Sequence, residues 1–390
     1  MKRAIINLLS NFLFVCFHLF PLRNKVVAST FKGKKYGDNP QYIFEALHRI
    51  SPDLGYYWML STESISVPIW INKIPYRRTI KTIYHICTSK VVVDTHRFMP
   101  WIKKRKGQLF IETWHGGLGI KKIEADVPAF LKNGWLMREV AHTNELADVF
   151  ISQSDHLSNV YRSAFGYKGY IWKIGYPKND ILFSGRLEEY KKIRDYYNLT
   201  NDCKILLYVP SFRDYFYEKI DVSVYSINYL LLKKSLEKKF GGNWVILTRW
   251  HPLFAKELNN ISYDYSGTIN ATSYPDIQEL LKASDAVISD YSSCIFDAAL
   301  MDIPCFTFAT DFEKYKEDRG VYYEMEDLPF PYGINNEELN SNILTFNEED
   351  YKKKWNEFKI RTGLYETGHA SEDIAKKILE FIKTGNVEWK

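Results

Sequence analysis

The feature of this sequence that most constrains its fold is a regular alternation of short apolar runs with segments of helical periodicity. Apolar runs of about 4–8 residues separated by helices are typical of β-α-β units, which build parallel sheets. A first series of runs predicts strands at Lys25–Thr30, Tyr56–Leu60, Lys90–His96, Gln108–Thr113, Val149–Gln153 and Ile171–Gly175. A second series predicts strands at Lys204–Val209, Trp244–Thr248, Ala286–Ser289 and Cys305–Phe308. Helical patterns lie between them, for example at Pro40–Ile50, Asp155–Phe165 and Arg186–Tyr197.

Two such series predict two doubly wound α/β domains that face each other across a cleft. A chain of 390 residues is too long for one ordinary core and fits two domains of moderate size. We predict an amino-terminal helix over residues 1–22, a first domain over residues 23–184 and a second over residues 185–390. Ligands of such sheets bind outside the carboxyl ends of the strands, so site residues are expected there.

Composition limits the partners of the chain. A net charge of +5 indicates anionic partners, either phosphate-bearing substrates or acidic lipid headgroups, and does not require nucleic acid; a plain solubility balance explains it equally well. The five cysteines include no CxxC pair, so neither a zinc site nor a disulfide framework is indicated, and a reducing cytoplasm is the expected compartment.

An uncharged apolar run, Ala4–Phe20, follows two basic residues at the start of the chain. It is shorter than the roughly 20 residues that a spanning helix needs, and polar residues interrupt it. A helix lying in the membrane interface fits this pattern, with basic residues at the headgroups. A buried first helix, a signal peptide and a full span are the alternatives.

The first candidate site follows the predicted strand Gln108–Thr113, where the sequence reads Trp-His-Gly-Gly. Glycine allows close approach of a ligand, and an imidazole can serve as a general base near neutral pH. We therefore predict that His115 is catalytic and that Gly116 contacts substrate. A loop histidine among turn glycines is the alternative.

Three further polar segments follow strands of the second series. Ser211 and Arg213 follow the first of these strands, and a guanidinium can clamp a phosphate, although a surface ion pair with Asp214 explains it equally. Arg249 and His251 are two residues apart, so on an extended segment they project to one side and suit a diphosphate.

The third segment reads as a strand, a turn and a helix start. Its polar residues can cap the helix, and helix N–H groups with serine hydroxyls form an anion site. A capped helix without a ligand is the alternative. The substrate-binding candidates here are Asp290, Ser292 and Ser293.

Motifs for metal or nucleotide cofactors are missing from the sequence. There is no P-loop lysine motif, GxGxxG, HExxH or DxD-like pair at a strand end. We therefore predict no metal and no cofactor, so that fixed cations and helix N–H groups must neutralise a leaving diphosphate.

Taken together, these segments resemble the CDP-glycerol glycerophosphotransferase family, the teichoic acid primases and polymerases. The matching motifs are, in order, TWHG at Thr113–Gly116, GYPKND at Gly175–Asp180, YVPSFRD at Tyr208–Asp214, RWHP at Arg249–Pro252 and SDYSSCIFD at Ser289–Asp297. The resemblance covers about residues 25 to 380. It implies a GT-B arrangement of two Rossmann-like domains, an acceptor-side domain followed by a donor-binding domain, and attachment to the cytoplasmic face of the membrane.

The resemblance also implies roles for single residues. His115 is the expected base, with His251 as a second catalytic histidine. The donor pyrophosphate is expected to lie against Arg213, Arg249, His251, Asp290, Ser292 and Ser293. The family's second motif supplies further substrate-binding candidates without a specific role, namely Lys178 (an arginine in most of the family), Asn179 and Asp180.

The reaction that the resemblance implies is a metal-independent transfer of glycerol phosphate from CDP-glycerol to a lipid-linked (polyprenyl diphosphate) saccharide, with release of CMP, in teichoic acid or capsule synthesis. Alternatives are CDP-ribitol as donor, a nucleotide-sugar glycosyltransferase or epimerase of the same fold, and a non-catalytic membrane scaffold. Because the sequence has no long amino-terminal extension, it is expected to resemble the compact, primase-like members.

Overall fold

The structure, a computed structural model, describes residues 2–213, 221–251 and 266–389. Asp214 and Pro252, which end two of the motifs above, lie outside these residues. The strands of the first half are β1 (Arg23–Ser29), β2 (Gly55–Leu60), β3 (Asn72–Pro75), β4 (Ser89–Asp94), β5 (Leu109–Glu112), β6 (Val149–Ser152) and β7 (Tyr170–Lys173). Its helices are α1 (Lys2–His18), α2 (Asp38–Ile50), α3 (Ile80–Thr88), α4 (Gly134–Leu146) and α5 (Asp155–Ala164).

The second half has the same alternation. Its strands are β8 (Lys204–Val209), β9 (Trp244–Thr248), β10 (Thr268–Asn270), β11 (Ala286–Ser289), β12 (Cys305–Phe308) and β13 (Tyr332–Gly333). Its helices are α6 (Leu187–Tyr197), α7 (Tyr229–Phe240), α8 (Ile277–Lys282), α9 (Cys294–Ala299), α10 (Phe312–Arg319), α11 (Asn336–Leu344), α12 (Glu348–Thr362) and α13 (Ala370–Thr384). Short 3-10 helices lie at Phe31–Gly33, Glu124–Asp126, Pro128–Lys132, Pro177–Phe183, Val222–Tyr225 and Met325–Asp327.

Both sheets are parallel and doubly wound. The first has the order β3-β2-β1-β4-β5-β6-β7 and the second the order β10-β9-β8-β11-β12-β13, so each contains the Rossmann order 3-2-1-4-5-6. Central strands such as β5 and β11 are buried along their whole length, as helices on both faces require. The predicted fold class, two Rossmann-like domains in a GT-B-like arrangement, is confirmed.

The predicted strands are all present, and those of the second series have the predicted bounds. The sequence patterns did not predict β3, β10 and β13, which are four, three and two residues long. Each lies at the edge of its sheet, where half-exposed residues give no apolar run.

Helix α13 crosses back to the first half of the molecule. Its buried residues Ile374, Ala375 and Ile378 belong to the core of the first sheet, where α13 packs against α2. The carboxylate of Asp180 accepts bonds from the backbone N–H groups of Ala370 and Ser371, at 3.0 and 2.7 Å, and so caps this helix. The division at residues 184 and 185 stays a prediction.

Helix α1 packs against α3 through one side only. Phe14 is buried, whereas Leu8, Phe12 and Val15 are 71%, 64% and 65% exposed. These three residues recur at the spacing of one helical face. No helix in the described ranges is long and apolar enough to cross a bilayer.

Candidate active site

His115 lies on a turn directly after β5. Trp114 adopts a φ of 52°, which is uncommon for a bulky residue and costs backbone strain at this turn. Its backbone N–H donates to the Glu112 carboxylate at 2.9 Å. The turn sets the ring of His115 against the carbonyl oxygen of Thr95, 2.9 Å from Nδ1. Because a carbonyl only accepts, Nδ1 carries the proton and Nε2 holds the lone pair.

The charge state of His115 follows from its surroundings. Burial lowers the pKa of His115 to about 3, and the positive charges of Lys121, Arg97 and Lys178 act in the same direction, whereas the bond to Thr95 opposes them. The imidazole is therefore neutral near pH 7. Its Nε2 makes no hydrogen bond with any described residue and is available to take a proton.

The loop that carries His115 borders a crevice lined by both halves of the molecule. Gly116 and Lys121 line it from the first half, and Tyr291, Ser293 and Tyr322 from the second. A Cβ atom placed on Gly116 would lie 4.0 Å from the hydroxyl of Ser293, so the two predicted segments are adjacent. The structure thus brings the ends of β5 and β11 together.

The segment after β11 divides into an accessible and a buried part. Ser292 and Ser293 are partly exposed, and the Ser292 hydroxyl accepts a bond from the Cys294 N–H at 3.4 Å at the start of α9. Asp290 is fully buried and accepts from the Ser211 N–H at 2.8 Å, which ties the ends of β8 and β11 together. The hydroxyl of Ser211 is buried and has no hydrogen-bond partner among the described atoms.

Arg213 is buried between two carboxylates. Its Nη1 donates to Asp290 at 2.7 Å and to the Ser211 carbonyl at 2.8 Å, while Nε and Nη2 donate to Asp311 at 2.8 and 2.9 Å. Burial alone lowers the pKa of Arg213, but Asp290 and Asp311 outweigh it and hold the pKa well above its ordinary value. These contacts favour a positioning role, and a direct grip on diphosphate stays a prediction.

The residues after β9 alternate in exposure, as an extended segment requires. Trp250 is buried against Tyr225, whereas Arg249 is partly exposed and His251 is exposed. Arg249 Nη1 donates to the carbonyls of Ala271 and Tyr274, at 3.2 and 2.5 Å. His251 packs against Phe212 with 5.8 Å between ring centroids. Arg249 and His251 therefore share one side, and their predicted roles stay predictions.

Lys178 joins the two halves in a buried ion pair. Its Nζ donates to Asp297 of α9 at 2.6 Å, and both side chains are almost completely buried. Although burial opposes it, the charges of Asp297 and Asp38 raise the pKa of Lys178 to about 12. The pair fixes α9, and with it the serines before α9, relative to the first sheet. Substrate binding by Lys178 stays a prediction.

Asn179 continues this network across the interface. Its Nδ2 donates to Asp297 at 3.2 Å and to Glu366 at 2.8 Å, while its Oδ1 accepts from Gln278 at 2.5 Å. Burial raises the pKa of Glu366 to about 8, partly countered by the bond from Asn179. Asn179 and Asp180 thus hydrogen-bond to other parts of the protein, and their roles as substrate ligands stay predictions.

The sequence patterns indicated no role for Asp297, Asp311 or Glu366, the carboxylates that accept hydrogen bonds from Lys178, Arg213 and Asn179. Asp297 ends one of the five motifs, so an acid within a matched motif was the available signal there; Asp311 and Glu366 lie outside those motifs. In the part of the chain that the structure describes, no three His, Cys, Asp or Glu residues converge as metal ligands would.

A sequence model of the family described as CDP-glycerol:poly(glycerophosphate) glycerophosphotransferase matches residues 12–380. The chain belongs to this family. The match spans both sheets and all five motifs quoted above, which confirms the predicted resemblance.

Curated relatives differ in how much of their length the chain covers. It is 31% identical over 373 residues to the teichoic acid poly(glycerol phosphate) polymerase of Staphylococcus epidermidis, covering 92% of this chain and 51% of that protein. It is 26% identical to the teichoic acid glycerol-phosphate transferase of Staphylococcus aureus, covering 97% of this chain and 100% of that protein. The chain thus spans about half the length of the polymerase.

Among solved structures, the wall teichoic acid polymerase TagF superposes with a TM-score of 0.81 at 28% identity. The superposition covers 98% of this chain and 97% of the TagF chain. A histidine-to-asparagine variant of TagF soaked with CDPG gives a TM-score of 0.79. The similarity therefore extends across both halves and the crevice between them.

Proposed function

We propose that this protein transfers glycerol phosphate from CDP-glycerol to a lipid-linked saccharide of the cell envelope and releases CMP. The observation that carries the proposal is the unprotonated Nε2 of His115, on a loop that borders a crevice shared with Ser293. Family membership supports the choice of donor. A neutral imidazole beside a site for anions suits attack by a hydroxyl on a phosphoryl group.

In the proposed reaction, a hydroxyl oxygen of the acceptor forms a bond to the β-phosphorus of CDP-glycerol. The bond between that phosphorus and the bridging oxygen breaks, and CMP leaves with the bonding electron pair. His115 Nε2 takes the hydroxyl proton as the new bond forms. His251 and Arg249 lie on one side of the extended segment after β9 and hold the diphosphate, together with Gly116, Ser292 and Ser293.

We propose that the transfer needs no metal ion, because basic side chains supply the positive charge. Lys178, Asn179, Asp180, Ser211, Arg213 and Asp290 act in this scheme through the positions of the two sheets and the strand ends. Their contacts fix the crevice, and substrate contacts are left to the accessible groups around it.

The proposal is tested by the nucleotide that is released. Purified protein is incubated with a polyprenyl-diphosphate-linked saccharide and with CDP-glycerol, CDP-ribitol or a UDP-sugar, in the presence and absence of a chelator. We expect CMP release with CDP-glycerol, unaffected by the chelator. Release from CDP-ribitol alone would support the ribitol alternative, release of UDP or UMP a nucleotide-sugar enzyme, and no release with any donor a scaffold.

The pKa of His115 predicts how the reaction depends on pH. In the free protein its pKa is about 3, so kcat/KM is not expected to fall near pH 6.5 through this group. A bound diphosphate adds negative charge that favours the imidazolium, so donor binding raises this pKa. We therefore expect the acid limb of kcat to lie at a higher pH than that of kcat/KM. The measurement is a pair of pH–rate profiles. Acid limbs of kcat and kcat/KM at the same pH, or a kcat limb at the lower pH, would contradict the prediction.

We propose that the protein binds the cytoplasmic face of the membrane through α1. Leu8, Phe12 and Val15 form an exposed apolar stripe. Arginines flank it, since Arg78 donates to the side chain of Asn7 and Arg105 to the carbonyl of Phe20. An apolar stripe bordered by basic side chains suits an anionic lipid surface.

The double substitution Phe12→Glu and Val15→Glu is expected to weaken binding to phosphatidylglycerol vesicles by about 100-fold. Two apolar side chains contribute on the order of 3 kcal/mol when buried in lipid, which corresponds to this factor. The measurement is co-sedimentation with vesicles at low and high salt. Ile69→Glu is the control, because Ile69 is an exposed apolar residue outside α1. Equal loss in the control would contradict a specific role of α1.

A further inference from the structure

Lys35, on the loop before α2, carries an ammonium group that the scheme above does not use. Its backbone carbonyl accepts a bond from the Trp58 indole at 3.2 Å, which fixes the loop. Its side chain folds over Gly37, where an added Cβ atom would lie 3.2 Å from Lys35 Cε. The Nζ atom lies 4.9 Å from the centre of the Phe31 ring, which is 5.0 Å from the ring of His115. The side chain is therefore held in place close to the proposed base.

The ammonium of Lys35 has no hydrogen-bond or ion-pair partner among the described residues, although the side chain is partly buried. Two carboxylates act on it electrostatically, Asp38 and Asp276. Both are bonded to other groups: Asp38 accepts from the Asn39 N–H, and Asp276 accepts from Tyr42 at 2.8 Å and from the Gln278 N–H at 2.9 Å. A partly desolvated ammonium without a partner is costly unless an anion binds it.

Besides the two carboxylates, cations from both halves act on Lys35. Arg249 from the second half and Lys178 from the first both act on it, and burial lowers its pKa. Neighbouring cations repel each other, and a bound anion reduces that repulsion. Lys178 is already paired with Asp297, and Arg249 donates to two backbone carbonyls, so Lys35 is the cation of these three without a hydrogen-bond partner among the described residues.

We propose that the Lys35 ammonium binds a phosphoryl oxygen of the substrate and positions that phosphate near His115. The proposal rests on the proposed transfer reaction. Two sources of phosphate have the required chemistry, the diphosphate of the donor and a phosphate group on the acceptor.

The test compares charge removal with charge retention. Lys35→Met keeps the length of the side chain without its charge, Lys35→Arg keeps the charge, and Lys168→Met removes an exposed lysine elsewhere in the same half. Calorimetry with CDP-glycerol and steady-state kinetics with the lipid-linked acceptor are measured for each full-length protein. Thermal unfolding checks that each variant is folded, and Lys35→Gln replaces Lys35→Met if the latter is not.

We expect Lys35→Met to weaken binding by about 10- to 100-fold, as for loss of one charge-assisted hydrogen bond. Lys35→Arg should retain most of the affinity and Lys168→Met all of it. A weaker affinity for CDP-glycerol identifies the donor phosphate; an unchanged donor affinity with a raised KM for acceptor identifies the acceptor phosphate. Unchanged values for both substrates would overturn the proposal.

A second probe distinguishes failure of the proposed transfer reaction from failure of the Lys35 proposal. If the wild-type protein neither binds CDP-glycerol nor releases CMP, the proposed function fails, and inorganic pyrophosphate then tests Lys35 separately. Pyrophosphate binding that Lys35→Met weakens would still support an anion site at Lys35. Binding that is absent in the wild-type protein, or equal in the variant, would overturn it.

Discussion

Replacing His115 with alanine is expected to lower kcat by about 10³-fold and to change the affinity for CDP-glycerol by less than about threefold. General-base catalysis contributes about 10²–10⁴ in rate, and no other neutral imidazole in the described crevice has a proton-accepting nitrogen set by a backbone carbonyl. Donor affinity is expected to be retained because the groups proposed to hold the diphosphate, such as Arg249, His251 and Ser293, are unchanged in this variant.

His115→Asn sharpens this experiment. The amide nitrogen of asparagine can take the place of Nδ1 and donate to the Thr95 carbonyl, so the loop keeps its contact while the base is lost. His142→Ala is the control, since His142 lies on α4 and its imidazole bonds to the Ile102 carbonyl, outside the residues that line the crevice. Single-turnover CMP release and calorimetry separate the two effects. Turnover near the wild-type rate in His115→Asn would refute the base assignment.

Replacing Arg213 with methionine is expected to lower the free energy of unfolding by about 3–5 kcal/mol. The substitution leaves Asp290 and Asp311 buried without their counter-ion, and breaking a buried pair from one side costs this much. Asp290 also receives the Ser211 N–H, so the ends of β8 and β11 lose a shared anchor.

Urea unfolding followed by tryptophan fluorescence measures this loss. Lys173→Met is the matched control because it removes an exposed ion pair with Asp155, in which both side chains are more than half exposed. Such pairs contribute little to stability, so the midpoint of the control should stay close to that of the wild-type protein. Equal midpoints for both variants would mean that Arg213 is not a structural anchor.

Sequence patterns predicted this architecture well where burial is complete and poorly where it is not. β9 has the predicted bounds because an apolar run between polar ends marks a strand covered on both faces. The edge strand β13 has only two residues and leaves no such pattern. The loops that follow β5 and β11 border one crevice, because each leaves the carboxyl end of its own parallel sheet and the two sheets meet there.

Side-chain roles were harder to predict because they depend on distant partners. The sequence shows that Arg213 suits a phosphate, but not that Asp290 and Asp311 fold against it. The same holds for Lys178, because the sequence does not show that its partner is Asp297, on a helix of the other half. Lys35 stands out only once its surroundings are known, because its loop also carries Lys32 and Lys34 and the sequence does not distinguish among the three.

The return of α13 to the first sheet has a consequence for how the protein is made. Its residues Ile374 and Ile378 fill the core beside α2, and its first turn is capped by Asp180. The ribosome delivers this helix only after all strands of the second sheet. The apolar face beside α2 is therefore left uncovered until α13 has been translated, after every strand of both sheets.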